Sequence, residues 1–225
     1  MSHCSIKIWD EIYRVQKTPW GKRPGSLVQD LANYLKPGML VAELGCGIGR
    51  DALYLGTAGA IVRAVDLSRE AIIRAQECAR TMGLEKRVSF EQNYALEFIQ
   101  NIPSGYVDVV LAMNFFNYCA YEYSDILLEM TRVLRPGGGL YASVFAVGDE
   151  EHGLTASDKS SLCEGPFGTV RLFIAGEIEE MLPGFRVEQL WEDEYIDKPH
   201  IGAPFPHKNK FIRFVAKTHL RSGCK

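Results

Sequence analysis

The chain has 225 residues, of which 47% are hydrophobic and 24% charged, a composition typical of an ordinary globular protein. This composition excludes disordered, collagen-like and small disulfide-stapled classes. Because 25 Lys and Arg stand against 28 Asp and Glu, the formal net charge is −3, and the whole chain offers no field that would attract nucleic acid or an anionic membrane. We therefore expect a small-molecule partner.

The cysteines and the first residues of the chain indicate its compartment. No two of the six cysteines form a Cys-x-x-Cys pair, so free thiols in a reducing compartment are expected. The first residues lack the layout of a signal peptide, and no stretch approaches the roughly 20 apolar residues that span a bilayer. The sequence thus predicts a cytoplasmic protein with no membrane partner. The cysteines are Cys4, Cys46, Cys78, Cys119, Cys163 and Cys224.

Strand-like and helix-like segments alternate through the first two thirds of the chain, which predicts a parallel sheet with helices on both faces. Short apolar runs predict strands at residues 39–44, 60–65, 87–92 and 107–113. Helical spacing predicts helices at residues 50–57, 68–82 and 122–134, the second with Ser68 as its N-cap. Pro136 and the glycines after it predict a turn into a further strand at 140–147.

The last third of the chain is less regular. Residues 148–168 are polar and show no sustained period, which is typical of a lid over a site or of a connector. We interpret Asp149-Glu150-Glu151 within this segment as a solvated charge run. The remaining predicted elements are a helix at 175–182, a strand at 185–191, an irregular proline-rich segment at 198–207 and a strand at 211–217.

The length favours one domain over residues 1–225, because single cores split only at larger sizes. Within it the predicted elements define an N-terminal cap (1–36), a core (37–147) and a lid with C-terminal strands (148–225).

The clearest motif is Glu43-Leu44-Gly45-Cys46-Gly47-Ile48-Gly49-Arg50-Asp51, which follows the first strand and opens a helix. Glycines let the backbone turn sharply and approach a ligand, and the free N–H groups of the helix start can face that ligand. The dinucleotide fingerprint requires Gly or Ala where Arg50 stands, and a Walker loop requires a Gly-Lys-Ser/Thr ending that is missing. The motif therefore predicts a different ligand.

Asp66 ends the second predicted strand, 21 positions after Gly45. A carboxylate at this place can accept hydrogen bonds from both hydroxyls of a ribose. A glycine loop and a ribose acceptor together predict a nucleoside-containing cofactor lying across the strand ends.

These residues resemble the motif series of the class I S-adenosylmethionine-dependent methyltransferases. The series is Glu43-x-Gly45-x-Gly47-x-Gly49, then Asp66, then Asp108-Val109-Val110 and Arg135-Pro136-Gly137-Gly138, and it covers about residues 37–147. The flanking segments 9–13, 18–24 and 206–211 resemble the thiopurine and tellurite-resistance branch of that family.

The resemblance implies a Rossmann-like α/β fold with a seven-stranded, mostly parallel sheet, the last strand antiparallel, helices on both faces and an N-terminal helical cap. It also implies S-adenosylmethionine as cofactor and S-adenosylhomocysteine as product. No metal is expected. The oligomeric state stays open between monomer and homodimer.

The resemblance also implies a set of cofactor-binding residues. Glu43 and the glycine loop would meet the methionine and ribose part, and Asp66 the ribose diol. The acid that often meets the adenine amino group is missing from residues 92–95, where Asn93 or Tyr94 would substitute. Arg23 is a candidate partner of the cofactor carboxylate. The set is Trp9, Tyr13, Trp20, Arg23, Glu43, Gly45, Cys46, Gly47, Asp66, Leu67, Asn93, Tyr94, Ala95, Met113 and Asn114.

The sequence therefore predicts an S-adenosylmethionine-dependent methyltransferase. The expected acceptor is a small molecule with a soft or uncharged S, Se, Te, N or O nucleophile. Alternatives are methylation of a protein or nucleic acid, and a non-catalytic S-adenosylmethionine-binding regulatory module. No residue is firmly assigned as catalytic, and the candidates are His207, which could deprotonate a substrate, and Asn114, just past the fourth strand. Aromatic residues near the proposed site would face the cationic sulfonium: Trp9, Tyr13, Trp20, Phe115, Phe116, Tyr118 and Tyr121.

Overall fold

Seven strands form one mixed sheet, with the spatial order β3-β2-β1-β4-β5-β9-β8, and two further strands form a separate β-hairpin, β6-β7. The computed structural model describes residues 3–16, 18, 21–119, 123–150, 161–165, 168–197 and 205–219. The strands are β1 (Leu40–Leu44), β2 (Ile61–Asp66), β3 (Val88–Gln92), β4 (Val107–Met113), β5 (Leu134–Phe145), β6 (Ser161–Gly165), β7 (Gly168–Leu172), β8 (Phe185–Asp197) and β9 (His207–Thr218).

Within the described ranges, seven α-helices connect or cover these strands. They are α1 (His3–Val15), α2 (Ser26–Tyr34), α3 (Arg50–Thr57), α4 (Arg69–Met82), α5 (Ala95–Gln100), α6 (Tyr123–Val133) and α7 (Ile178–Met181), and short 3-10 turns occupy Phe116–Tyr118 and Ala175–Glu177. Among the described residues, no helix is both long and apolar enough to cross a bilayer.

The strand directions confirm the predicted Rossmann-like fold class. Strands β1 to β5 run parallel to one another, and β9, the last described strand, is antiparallel to both β5 and β8. The chain moves outward from β1 first through β2 and β3 and then, on the other side, through β4 and β5. This reversal of strand order lies between β1 and β4, and in open α/β sheets ligands bind at the carboxyl ends of the strands beside such a reversal.

The central strand β4 shows how the core is divided. Val110 and Ala112 pack into one hydrophobic cluster, with Phe98 and Phe116, while Val109 and Leu111 pack into the other. Because side chains alternate across a strand, this apolar run is buried on both faces and each face carries its own core layer.

The predicted N-cap of α4 is confirmed, and it also positions α1. Ser68 Oγ accepts a hydrogen bond of 3.1 Å from the Ala71 N–H and donates one of 2.6 Å to Asp10 Oδ1 on α1. The same carboxylate oxygen accepts a hydrogen bond of 3.3 Å from the Glu70 N–H. Arg74 Nη1 donates to the carbonyl oxygens of Tyr13 and, at 2.7 Å, of Gln16. The first turns of α4 therefore fix α1 above the sheet edge.

The last third of the chain departs from its predicted boundaries. Part of the segment expected to be irregular is the β6-β7 hairpin, whose Val170 and Leu172 are fully buried. Asp149 is not solvated as predicted, because it is fully buried and its Oδ2 accepts a 2.9 Å hydrogen bond from the Lys210 N–H. Residues 151–160 and 166–167, which belong to the predicted lid, lie outside the described residues.

Strands β5, β8 and β9 are longer than predicted. The predicted turn before β5 is an irregularity inside the strand, since Leu134 pairs with Val107 and the next paired position is Gly139, opposite Val109. Strand β8 continues to Asp197 and β9 begins at His207 rather than at Phe211. The result is a long antiparallel ribbon of β8 and β9. Residues 198–204 of the predicted proline-rich segment lie outside the described residues.

We expect Asp10→Ala to loosen α1, because the substitution removes both hydrogen bonds that the Asp10 carboxylate accepts from the start of α4. The loss of about 1–2 kcal/mol corresponds to amide hydrogen exchange in α1 that is about 5–30-fold faster. Hydrogen exchange followed by mass spectrometry measures this. Glu11→Ala is the matched control, since the partner of Glu11 among the described residues is Arg14, on the same exposed helix face. Equal exchange in the two variants would contradict the docking role of Asp10.

Candidate active site

A cavity of about 770 Å³ opens at the carboxyl edge of the sheet, beside the reversal of strand order. Its walls come from α1, the glycine loop after β1, the ends of β2, β4 and β5, and the β8-β9 ribbon. The structure brings these predicted residues together in its walls: Trp9, Tyr13, Arg23, Glu43, Gly45, Cys46, Gly47, Asp66, Leu67, Asn93, Ala95, Met113 and Asn114. Phe115 and Tyr118 of the predicted aromatic group also line it.

Several predicted residues are not in these walls. Tyr94 takes the N-cap position of α5, between two lining residues, and its own side chain does not line the cavity. His207 is buried at the start of β9 with its Nδ1 3.0 Å from the Phe205 carbonyl oxygen, and it does not line the cavity either. Phe116 is fully buried in the core. Trp20 and Tyr121 lie outside the described residues.

The glycine loop adopts a conformation that only glycine accommodates easily. Gly45, Gly47 and Gly49 have φ values of 71°, 52° and 77°, in the left-handed region. A Cβ atom on Gly47 would lie 2.6 Å from the Tyr13 hydroxyl oxygen, so any side chain here would displace Tyr13. The Gly45 N–H donates a 2.9 Å hydrogen bond to the carbonyl oxygen of Val65 at the end of β2. The loop is thus held flat against the neighbouring strand, with its backbone open to the cavity.

Asp66 ties that loop to the start of α4. One oxygen of its carboxylate accepts a 2.8 Å hydrogen bond from the Gly47 N–H, and the other accepts a 2.9 Å hydrogen bond from the Ser68 N–H. Burial raises the pKa of Asp66, although these backbone donors oppose the shift. Each carboxylate oxygen can accept a second hydrogen bond, so Asp66 can still bind a pair of hydroxyl groups in the cavity.

Glu43 brings a second buried carboxyl group to the floor of the cavity. It is only 3% exposed, and its Oε2 has no hydrogen-bond partner among the described residues. Burial raises the pKa of Glu43 well above its ordinary value, the Asp51 and Asp66 carboxylates raise it further, and the Arg50 guanidinium opposes them. A buried acceptor without a donor is unfavourable, so this oxygen is suited to a ligand that brings a hydrogen-bond donor or a positive charge.

The charges around Glu43 make this end of the cavity negative. Arg50 binds Asp51 through two hydrogen bonds of 2.8 and 3.0 Å, so its charge is largely matched by that one carboxylate. Three carboxyl groups, those of Glu43, Asp51 and Asp66, thus surround the single Arg50 guanidinium at this end of the described cavity. This field favours a cationic group in the bound ligand.

Asn93 lies where the adenine is predicted to bind, and its side-chain amide forms hydrogen bonds with neighbouring residues of the chain. Asn93 Nδ2 donates a 2.9 Å hydrogen bond to Glu91, and Asn93 Oδ1 accepts one of 2.7 Å from the Tyr94 N–H. Asn93 and Ala95 line the cavity, whereas Tyr94 does not. Of the two residues predicted to replace the missing acid, Asn93 is therefore the one that lies in the cavity wall.

Asn114 is the only non-glycine residue with positive φ in the described part of the chain, at 53°. Its N–H donates to the Ser143 carbonyl oxygen at 2.8 Å and to Ser143 Oγ at 3.1 Å, and Ser143 Oγ in turn donates to Asn114 Oδ1 at 2.6 Å. Because the amide oxygen is engaged, the amide nitrogen is the group that Asn114 can offer to the cavity. Unusual backbone geometry held by specific partners is typical of functional sites.

Sequence reasoning missed the wall formed by β5, β8 and β9. The residues concerned are Ser143, Phe145, Tyr195, Asn209, Phe211 and Arg213. Part of this wall could have been predicted from the spacing of Asn209, Phe211 and Arg213. Residues two apart in a strand have their side chains on the same face of the sheet. That signal required the strand to begin before Phe211, and the register with Tyr195, Phe145 and Ser143 arises only from non-local pairing.

A doubly wound sheet with a glycine loop after β1 and an acidic residue ending β2 defines a Rossmann-like protein that binds a nucleoside-containing cofactor. Comparison with known proteins gives a more specific class. Residues 42–142 match the family model described as a methyltransferase domain. This match covers a little under half of the chain, and together with the fold it makes the chain similar to the class I S-adenosylmethionine-dependent methyltransferases, a family whose cofactor is S-adenosylmethionine.

Individual relatives agree with the family. Methyltransferase GfsG from Streptomyces halstedii is 35% identical over 104 residues, which are 46% of this chain and 36% of that protein. The probable thiol methyltransferase 2 from Arabidopsis thaliana is 28% identical over 160 residues, 68% of this chain and 67% of that one. The chain spans less than half the length of several curated relatives, GfsG among them.

A solved structure shows the same fold. The 1,6-didemethyltoxoflavin-N1-methyltransferase of Burkholderia thailandensis, with bound 1,6-didemethyltoxoflavin and S-adenosylhomocysteine, has a TM-score of 0.68 at 21% identity. The superposition covers 95% of this chain and 85% of that one.

The strain at Asn114 leads to a stability prediction. At this positive φ, Asn114→Gly should be more stable than Asn114→Ala by about 1 kcal/mol, because alanine resists the left-handed region and glycine does not. Denaturant unfolding of both variants measures the difference. Asn101 has an ordinary φ of −81° and serves as the control, where alanine should instead be the more stable of the two. The same order of stability at both positions would refute the strain at Asn114.

Glu43 leads to a prediction about pH. Because the pKa of Glu43 is higher in the folded than in the unfolded chain, the folded chain holds this proton more tightly, and stability falls as pH rises from about 4.3 through the raised value. Glu43→Gln should therefore flatten the fall of the free energy of unfolding as the pH rises above about 4.3. Urea unfolding across this range measures it, with exposed Glu85→Gln as control. A parallel fall in wild type and Glu43→Gln would refute the prediction.

Proposed function

We propose that this chain transfers the methyl group of S-adenosylmethionine to a small-molecule acceptor with a sulfur, selenium, tellurium, nitrogen or oxygen nucleophile, by in-line displacement. The observation that carries the proposal is a single cavity with two different ends. One end holds the glycine loop with Asp66 and Glu43, and the other is a largely aromatic wall on β5, β8 and β9. A transfer between two bound molecules requires both ends to open into one space.

The residues of the first end fit S-adenosylmethionine. The glycine loop lines the cavity with its backbone, and a ribose would lie against that backbone. Asp66 would accept the two ribose hydroxyls, and the unpartnered Glu43 Oε2 suits an ammonium or an ordered water. When bound, the cofactor supplies a methyl group on a cationic sulfonium, whose charge the negative field of this end favours.

The chain's own contribution to the reaction is alignment and exclusion of water. Trp9 of α1 stacks on Tyr13 with ring centroids 6.1 Å apart and makes a T-shaped contact with Tyr118, with centroids 5.0 Å apart. This aromatic roof is fixed by the docking of α1 on α4. Holding two reactants in line and out of water supplies much of the rate in a transfer that needs little acid or base chemistry.

The size of the cavity supports a small acceptor. At about 770 Å³ it lies in the upper part of the range of roughly 300–1,000 Å³ that is usual for ligand pockets. Such a space suits a cofactor together with a small acceptor. The similarity to a probable thiol methyltransferase of Arabidopsis thaliana places thiols first among the acceptors to be tested.

Asp66→Ala tests the cofactor assignment. Loss of hydrogen bonds between the Asp66 carboxylate and the ribose should weaken S-adenosylhomocysteine binding by about 1.5–3 kcal/mol in titration calorimetry. Asp30→Ala is the matched control, because Asp30 is an exposed aspartate on α2, and this variant should bind like wild type. Thermal unfolding of both variants verifies that they are folded. Unchanged affinity in folded Asp66→Ala would remove Asp66 from the site.

Turnover separates an enzyme from a module that only binds the cofactor. Thiols, hydrosulfide, small amines and phenols are offered with S-adenosylmethionine, and each methylated acceptor should appear together with one S-adenosylhomocysteine. Tight cofactor binding without any methylated product would overturn the proposed activity and favour the binding module.

A further inference from the structure

The wall opposite the glycine loop is formed by side chains from the three neighbouring strands β5, β9 and β8. Phe211 on β9 pairs in register with Phe145 on β5, and the two ring centroids are 5.0 Å apart. Tyr195 on β8 stacks on Phe211 with centroids 5.3 Å apart and ring planes only 8° from parallel. Rings arranged in this way present flat faces and edges that favour contact with another planar ring.

Arg213 stands beside this aromatic surface, two residues along β9 from Phe211. Its guanidinium carbon lies 6.0 Å from the centroid of the Phe211 ring, and its side chain is 16% exposed. Nη1 carries both of its polar contacts, an ion pair with Asp193 and a 3.0 Å hydrogen bond to Ser26 Oγ on α2. The guanidinium is therefore anchored by one nitrogen, and Nε–H and Nη2–H₂ have no hydrogen-bond partner within the described part of the chain.

These donors are suited to an anionic oxygen group. A guanidinium with a free edge binds carboxylates and similar oxyanions through two parallel hydrogen bonds. Anchoring through Asp193 and Ser26 fixes the edge in advance, so little side-chain freedom is lost when an oxyanion binds.

The position of Arg213 assigns it to the acceptor rather than to the cofactor. The glycine loop follows β1, whereas Arg213 lies on β9, and the strands β4 and β5 lie between them. Three strand spacings of about 4.8 Å separate the two by roughly 14 Å. Of the other guanidinium groups that line the cavity, Arg50 is paired with Asp51 at the cofactor end, and Arg23 lies in the N-terminal segment.

We propose that the acceptor is a planar molecule that carries an anionic oxygen group, with its ring against Phe211 and Tyr195 and its oxyanion on the free edge of Arg213. This inference rests on the proposed function, because it names the substrate class of the same cavity. It makes Arg213 and Phe211 determinants of specificity.

Binding to the protein saturated with S-adenosylhomocysteine tests ring and charge separately. The probes are 2-naphthoate, 2-naphthamide and decahydronaphthalene-2-carboxylate, which are planar and anionic, planar and neutral, and anionic without a planar ring. We expect 2-naphthoate to bind at least tenfold more tightly than either of the others. Equal affinity for the naphthoate and the naphthamide would overturn the proposal.

Arg213→Gln should remove the preference for naphthoate over naphthamide, while its affinity for S-adenosylhomocysteine stays within twofold of wild type. Arg186→Gln is the matched control, since Arg186 is an exposed arginine on β8 that pairs with Glu188, and it should keep the preference. Arg213→Lys keeps a charge beside Asp193 and guards against loss of folding, and it should reduce the preference at least threefold. An unchanged preference in both folded Arg213 variants would refute the role of Arg213.

Two further outcomes are decisive. A more than tenfold loss of S-adenosylhomocysteine affinity in folded Arg213→Gln would assign Arg213 to the cofactor carboxylate and overturn the inference. If the probes discriminate as expected but no acceptor is methylated, the anion subsite stands and the proposed methyl transfer fails. The two proposals thus fail on different measurements.

Discussion

The carboxylate of Asp66 is the interaction on which the rest of the site depends. It accepts one hydrogen bond from the glycine loop, at Gly47, and one from Ser68, the residue that caps α4. Ser68 in turn donates to Asp10, which fixes α1. A single side chain at the end of β2 therefore links the floor of the cavity, the start of a helix and the roof. The carboxylate that orders the free protein is also the group that we propose for binding the ribose hydroxyls.

The cavity is also polarised by charge. Glu43 and Asp66 make the end under the glycine loop negative, and burial raises the pKa of both carboxyl groups because their ionised forms lose contact with water. The opposite end carries the guanidinium of Arg213, anchored by Asp193. A cationic ligand group and an anionic one would thus be drawn to different ends of the same space. The free protein sustains an unfavourable arrangement at Glu43, and a bound cation would relieve it.

The sequence predicts the half of the site that is formed by residues close to one another in the chain. The spacing of Gly45, Gly47 and Gly49 directly after an apolar run specifies a strand, a sharp turn and a helix start within ten residues. Asp66 and Ser68 likewise end one element and begin the next, so their roles in local structure follow from their places in the sequence. The fold class was predictable for the same reason, because parallel α/β sheets are built from such strand, turn and helix units in chain order.

The other half was not predictable, because its geometry comes from pairing between distant segments. Asn209 and Phe211 face the cavity only because β9 lies antiparallel between β5 and β8, and nothing near them in the sequence sets that register. Asp149 belongs to an acidic run that is typical of a solvated surface. It is nevertheless buried, and its carboxylate accepts a hydrogen bond from the backbone N–H of Lys210, 61 positions further along the chain. In this protein the residues proposed for the cofactor are specified locally, whereas those proposed for the acceptor depend on tertiary pairing. A change in the register or length of β8 and β9 would alter the aromatic wall and Arg213 while leaving the glycine loop and Asp66 in place, so this architecture allows acceptor specificity to vary independently of cofactor binding.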